Sequence, residues 1–390
     1  MTATLTDDLI ERLIETRRDI HQHAEVAFEE RRTAQLVAER LRSLGLDPVE
    51  GVAGTGVTAL ISGSRPGPVL MLRAETDALP IVEETDVPFR SRNVGAMHAC
   101  GHDAHVAILL TVAELLVHAE DLPGTVKLVF QPAEETCGGA KAMVGEGIMT
   151  RDEPVDMVLA LHLHGHLDVG TIGVCDGIAT ASASDFAVHV KGRGGHGAFP
   201  EATHDPIVAA GHVITALQTV VSREIPSTER AVLSVCTMSA GTAMNIIPER
   251  AELTGTIRSV EDAVHAQLVE RAGELAAGVA AAFRCDGTFD AHLLAPSVRN
   301  DPDLARIVRA SASEVVGPDS VVTPRPVMAG DDLAYFFNEA RGCYFFVGAA
   351  YTDGRPQTTH HISTWDIDER CLQIGADVLH RAALGALESA

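Results

Sequence analysis

The chain runs to 390 residues, 46% hydrophobic and 22% charged, a balance that excludes a disordered chain and, at that length, predicts two domains rather than one. Its 54 Asp and Glu outweigh 30 Lys and Arg, and lysine occurs only at 127, 141 and 191, so no basic run offers a footing for nucleic acid. The excess acid reads as surface charge that keeps a globular protein dispersed.

Met1–Ile10 carries Asp7 and Asp8 and no apolar block, so no secretory signal is expected there. Helices are predicted over Leu5–His21 and Ala27–Leu44. In the second, Leu36, Val37, Leu41 and Leu44 recur at roughly helical spacing and Gly45 supplies the stop. Strands and helices then alternate: strand Val69–Leu72, helix Val106–His118, strand Val126–Phe130 and strand Met157–Leu163. This alternation predicts an α/β sheet with parallel members. Beyond Ser182 the order becomes strand Asp185–Lys191, helix Pro206–Glu224, strand Ala231–Ser239, strand Glu252–Ser259, helix Glu261–Phe283 and strand Gly287–Ala295. That βαββαβ order is the split-βαβ, ferredoxin-like arrangement, able to form a compact domain alone. Helix Pro302–Val316, helix Asp332–Glu339 and strand Tyr344–Val347 resume the first style. The expected class is therefore α/β. A large domain, 1–182 with 296–390, has a mixed, mostly parallel sheet flanked by helices, and an α+β domain is inserted at 183–295. No charge-free apolar stretch reaches membrane-spanning length. The seven cysteines are scattered without a CxxC pair, which fits neither a disulfide framework nor a structural zinc ribbon. Together these points predict a cytoplasmic protein.

Chemistry-bearing residues collect where the predicted parallel strands end. Glu75 and Asp77 follow Val69–Leu72, Glu134 and Glu135 follow Val126–Phe130, and His162 closes Met157–Leu161. Open parallel sheets bind ligands beyond that edge. The densest cluster is His98-Ala-Cys100-Gly-His102-Asp103-Ala-His105, and thiolate with imidazole suits zinc and neighbouring transition metals. A lone cysteine or histidine is usually core, but so many metal-capable side chains in one short segment point to a site. Glu134 and Glu135 are adjacent; in an extended segment they point oppositely, one toward a metal and one free to hold a proton. Alone they would read as a solvated acidic pair. Cys100, His102, Glu135, His162 and His361 together supply sulfur, nitrogen and oxygen donors for two hydrolytic metal ions. His21, His23, His118, His212, His265, His292 and His380 show no partners and read as surface or core. The H-x-E and P-C-x-x-C pair of zinc deaminases is absent.

Several longer motifs occur in order: Arg73-Ala-Glu-Thr-Asp-Ala-Leu-Pro80, Met97-His-Ala-Cys-Gly-His-Asp-Ala-His105, Gln131-Pro-Ala-Glu-Glu135, Gly192-Arg-Gly-Gly-His196, Asn245-Ile-Ile-Pro248, Gly255-Thr-Ile-Arg258 and Gly330-Asp-Asp332. On these, from about Arg17 to Leu379, the chain resembles the N-acyl-amino-acid amidohydrolases. This branch contains hippurate hydrolases and auxin-conjugate hydrolases, within the dinuclear aminoacylase and carboxypeptidase superfamily. The resemblance implies two divalent ions per subunit (zinc, manganese, cobalt or nickel), with Cys100 bridging them and His102, Glu135, His162 and His361 completing the two sets. It implies Glu134 as general base and Asp77 as the residue orienting a ligand. His196 would reach the oxyanion from the inserted domain, read as lid and homodimer contact, and Asn245 and Arg258 would hold the substrate's carboxylate. His162 rather than His164 matches the family's spacing to Gly170, and His361 rather than His360 its spacing to Asp366; His164 and His360 stay open. Glu75 stands where the family usually has Asp, Thr136-Cys137 replaces a glycine-rich continuation, and the usual Pro after His162 is missing. The implied reaction is hydrolysis of an N-acyl amino acid. The rival readings are a dipeptidase or carboxypeptidase of the same superfamily, and a non-catalytic metal- or ligand-binding descendant, against which the intact Glu134 argues.

Overall fold

Val69–Leu72 is the middle of a longer strand, Arg65–Glu75, inside an eight-stranded sheet in the computed structural model, which describes residues 5–355 and 359–389. The first four residues of Met1–Ile10 lie outside the described residues. The sheet order is Val49–Val52, Gly56–Ser62, Pro123–Gln131, Arg65–Glu75, Met157–Asp168, Arg341–Ala350, Ile172–Val174 and Val321–Val322. Pro123–Gln131, Arg65–Glu75, Met157–Asp168 and Arg341–Ala350 run parallel to one another. Antiparallel pairs flank them on both sides. Every residue of Pro123–Gln131 is buried, as a strand covered on both faces requires.

The helix His102–Val117 begins four residues before the expected Val106 and is buried along nearly its whole length. Such an all-round apolar helix belongs inside a core. It packs against Arg65–Glu75 and against the helices Asp7–Gln22 and Arg370–Glu388. The last of these was not anticipated, although Leu372, Ala376, Leu379, Ala383 and Leu387 recur at helical spacing and are buried. The second helix is shorter than expected, Arg31–Ser43, because Val26 bridges to Ala78 and Glu30 turns its side chain inward. The expected helix Asp332–Glu339 contracts to Ala334–Phe337.

The chain divides into two compact units, the first comprising Met1–Ala179, Arg299–Arg325 and Asp332–Ala390, the second Thr180–Val298 with Pro326–Asp331. The second unit holds an antiparallel sheet ordered Ala231–Ala240, Arg250–Ser259, Ser182–Lys191, Asp286–Ala295. Phe186, Val188 and Val190 alternate with exposed Asp185, His189 and Lys191, which presents one face to the helices Pro206–Thr219 and Asp262–Ala282. The segment 326–331 was not expected in this unit. Backbone bonds from Ala181 N–H to the carbonyls of Val327 (2.9 Å) and Ala329 (3.1 Å) tie it there. Among the described residues, no helix is long and apolar enough to cross a membrane.

Candidate metal centre

Two parallel strands deliver site residues just beyond their C-terminal ends, where open parallel sheets bind ligands, while His162, expected to close its strand, lies in the middle of one that runs on to Asp168. Arg65–Glu75 leads into Asp77, Pro123–Gln131 leads into Glu134 and Glu135, and Met157–Asp168 carries His162. Cys100 and His102 flank Gly101, whose φ of 93° caps the helix His102–Val117. A Cβ at Gly101 would come 2.9 Å from the Trp365 ring and 3.3 Å from Leu163, so glycine is required by both conformation and space.

Among the described residues, two of the donor groups join expected ligands, Cys100 with Glu135 and His361, and His102 with Glu134 and Glu135; within each, the donor atoms lie within 4.8 Å of one another. His361 Nε2 is 3.4 Å from Glu135 Oε2, and Cys100 Sγ is 3.5 Å from His162 Nε2. Cys100 thus faces donors on two sides. His361 has a φ of 65°, a left-handed backbone that non-glycine residues adopt mainly where surrounding structure holds them; its N–H donates to the Ala99 carbonyl at 2.9 Å. The neighbouring histidines are otherwise engaged. His360 Nε2 accepts the Gly165 N–H at 3.1 Å, with its ring against Trp365. His164 Nδ1 accepts the His166 N–H at 3.3 Å.

Glu134 and Glu135 do not occupy an extended segment, and the expectation that they point oppositely is corrected. They lie in a turn that follows Ala133, at φ 54°, and both carboxylates approach His102 Nε2, at 3.9 and 4.0 Å. Asp77 dictates this geometry. Its Oδ1 accepts the Glu134 N–H and its Oδ2 the Glu135 N–H, each at 3.0 Å. The Asp77 backbone carbonyl accepts His102 Nδ1–H at 2.8 Å, which aims His102 Nε2 at the two glutamates.

The donor set fits a cation. His102 Nε2 and Glu135 Oε1 are buried with no hydrogen-bond partner, a state that buried polar atoms avoid unless an ion or water serves them. Burial would depress His102, but Asp77, Glu75 and Glu135 outweigh it and push it up to about 10. Burial, then Glu135 and Glu134, raises the Cys100 thiol well above its ordinary value. Burial and His105 hold His162 well below the usual range, hence neutral. Without a metal, burial and the nearby carboxylates favour the protonated thiol of Cys100 and the carboxylates favour protonated His102, and a divalent ion among these atoms would favour the opposite, deprotonated ligand forms.

In the second unit, Gly195–His196 pairs antiparallel with Ile246–Ile247, and Gly197 N–H donates to the Asn245 carbonyl at 2.8 Å, so His196 and Asn245 are neighbours. Arg258 lies on the four-stranded sheet, bonded to the Ser184 carbonyl at 3.1 Å.

Residues 71–385 match Peptidase family M20/M25/M40. The chain belongs to this family. N-acetylcysteine deacetylase of Bacillus subtilis (strain 168) is 36% identical over 380 residues, 97% of this chain and 97% of its own. Thermostable carboxypeptidase 1 of Saccharolobus solfataricus is 37% identical over 370 residues, 93% of this chain and 92% of its own. The Bacillus subtilis YxeP protein, described as a dinuclear metal binding peptidase from M20 family, has a TM-score of 0.86 at 32% identity, covering 99% of this chain and 100% of that one. The M20 chain is a metal-dependent amidohydrolase of the N-acyl-amino-acid branch.

Sequence reasoning missed Glu30. Its Oε1 accepts the Ala133 N–H at 2.9 Å and its Oε2 the Thr55 hydroxyl at 2.5 Å, fully buried. Nothing local to Glu30 signals this, since Ala133 lies 103 positions away. His21 was likewise read as partnerless. It is buried between Asp103 Oδ2, at 2.8 Å, and Glu83 Oε1, at 3.2 Å.

Proposed function

We propose that this M20 chain hydrolyses the amide bond of N-acyl-L-amino acids, releasing a carboxylic acid and a free amino acid, with Glu134 as general base. The observation that carries the reading is the pair of donor groups meeting at Glu135, with Glu134 beside them and close to His102. The proposal takes two divalent ions per subunit, which Cys100, His102, Glu135, His162 and His361 would hold, with Cys100 serving both as the motif resemblance implies. The dinuclear description of the B. subtilis YxeP protein supports that number, and a thiolate with imidazoles and carboxylate suits zinc, manganese, cobalt or nickel.

When bound, such ions acidify a water and polarise the scissile carbonyl. The protein's own contribution is positional and protolytic. Glu134 takes a proton from the attacking water and passes it to the leaving nitrogen. Asp77 fixes the backbone of both glutamates, so the base and the neighbouring donor keep their relative places. His196 donates to the oxyanion, and Asn245 and Arg258 bind the substrate carboxylate; these assignments follow the motif resemblance. We place the protein in the cytoplasm as a homodimer formed through its second unit, which also serves as a lid.

The N-acetylcysteine deacetylase relative supports an acylated amino acid. The carboxypeptidase relative supports a second reading, peptide hydrolysis. Initial rates on acetyl, benzoyl and longer acyl amino acids, compared with free-amine dipeptides and run with each of the four metals, separate them. Turnover of the acylated amino acids is expected. Cleavage of dipeptides alone would replace the first reading by the second, and no turnover with any metal would refute both.

A further inference from the structure

The strand Met157–Asp168 outruns its neighbour. Its parallel pairing with Arg65–Glu75 ends at Ala160, opposite Arg73. Farther along, the Leu163 N–H finds its acceptor in a buried side chain, His105 Nε2, at 3.0 Å. A backbone N–H can only donate, so Nε2 accepts and the ring proton sits on Nδ1. Nδ1 in turn donates to Glu75 Oε2 at 2.9 Å, while Glu75 Oε1 is held by Arg73. Arg73 Nε donates to Gln131 Oε1 at 2.8 Å, and Gln131 Nε2 to Asp332 Oδ1 at 2.7 Å. Arg73, Glu75, His105, Gln131 and Asp332 are all fully buried.

Glu75, His102, His105 and His162 also bring donor atoms within 4.8 Å of one another, which by distance alone could hold a cation. The hydrogen bonds argue against that use. Both ring nitrogens of His105 are engaged, and the two oxygens of Glu75 face Arg73 and His105. What the pair does is fix Leu163. The Leu163 carbonyl accepts His162 Nδ1–H at 2.7 Å, which leaves the His162 Nε2 lone pair directed toward Cys100 Sγ.

We infer that His105, locked in one tautomer by Glu75, is a positioning residue that holds the Leu163 backbone from which His162 is aimed, and so sets how tightly the ion on the His162 side is bound. Partners of this kind orient metal-binding histidines generally. The glutamate at 75, one methylene longer than the family's usual aspartate, supplies the reach from Arg73 to His105. The inference rests on the dinuclear reading proposed above.

The test counts zinc per chain in holoenzyme dialysed against graded EDTA, with thermal melts to report folding. His105→Leu keeps the packing and removes the acceptor; it should weaken one of the two ions by about 10–100-fold and leave the other unchanged. His105→Gln, whose amide oxygen can take the Leu163 N–H, should keep both ions at wild-type affinity. Glu75→Gln, which can satisfy Arg73 or His105 but not both, should weaken the same ion as His105→Leu. Should His105→Leu fail to fold, the Gln variants decide. Wild-type affinity for both ions in His105→Leu and Glu75→Gln, or equal damage in His105→Gln and His105→Leu, overturns the inference alone. A wild-type chain that takes up fewer than two ions overturns the dinuclear reading with it.

Discussion

Asp77 Oδ2 accepts the backbone N–H of Glu135 at 3.0 Å, and Oδ1 of the same carboxylate accepts that of Glu134 at the same distance. One buried anion therefore sets the backbone of both glutamates through two charge-assisted bonds. Asp77→Asn should break this symmetry, because an amide presents one oxygen and one NH2, and the NH2 would face an N–H. The expected outcome is metal affinity lower by about 10–100-fold and kcat/KM lower by at least as much. Equilibrium dialysis and steady-state kinetics on the same preparation check it. Wild-type values for both would show that Asp77 does no more than fill space.

The third N–H in this run belongs to Ala133 and is taken by Glu30. Ala133 sits at φ 54°, a left-handed conformation costing an alanine about 1 kcal/mol or more, so the acceptor holds a turn that would otherwise relax. Glu30→Ala should lose about 1–3 kcal/mol for the unsatisfied buried N–H and lower kcat along with stability. Glu30→Gln should retain most of both, since its amide oxygen can serve Ala133 while its NH2 meets the Thr55 hydroxyl. Urea unfolding and initial rates distinguish the pair, and equal behaviour of the two variants would reject the hydrogen-bond account.

The positions of these partners explain what the sequence could and could not show. Cys100, His102, Glu134 and Glu135 were legible because each stands just past an apolar strand or at the start of an apolar helix, and His162 because the apolar run Met157–Leu161 leads into it, although its strand continues to Asp168. Their partners were harder to find. Glu30 meets Ala133 and His105 meets Leu163 across 103 and 58 positions of sequence, contacts made by the tertiary fold alone. The opposed orientation expected for Glu134 and Glu135 failed for a local reason, since a left-handed Ala133 turns the chain before an extended alternation can begin. In the second unit, strand periodicity gave the βαββαβ order, while segment 326–331 joined through backbone bonds that no side-chain pattern encodes.

Stability should depend on pH through Asp103. It is fully buried and accepts from Arg17 Nε and His21 Nδ1, each at 2.8 Å. Burial would raise its carboxyl, but Arg17 and His21 overcome that and hold it well below the ordinary carboxylate range. Burial would lower His21, but the Asp103 charge prevails and raises it. A depressed acid contributes stability above its unfolded value, about 3.9, and loses it as pH falls through the folded value. A raised histidine contributes below about 6.5 and loses it as pH rises through its folded value. The joint contribution is therefore greatest between about pH 4 and about pH 6.5. Asp103→Asn should reduce the acid-side slope of unfolding free energy by up to about one proton. Urea midpoints measured from pH 2 to pH 8 test this, and an unchanged acid slope would assign it to other carboxylates.

Glu134 and Glu135 are chemically identical and nearly equidistant from His102, at 3.9 and 4.0 Å, yet the proposed function gives them different roles. Glu135 shares a donor group with Cys100 and His361 and lies 3.4 Å from His361, whereas Glu134 shares no group with either. On the proposed function, the glutamate beside Cys100 and His361 would bind metal, and its neighbour would move the proton. Glu134→Gln keeps the shape but cannot accept the proton of water, so turnover should fall by about 10²–10⁴-fold with metal content near wild type. Glu135→Gln replaces an anionic ligand by a neutral amide, so metal should be lost first and activity with it. Excess metal should restore activity in part to Glu135→Gln and not at all to Glu134→Gln. Metal counted per chain by plasma emission, with kcat measured across a metal titration, reads both effects in one series. Metal loss in Glu134→Gln and retention in Glu135→Gln would exchange the two roles, and full activity in Glu134→Gln would place the base elsewhere.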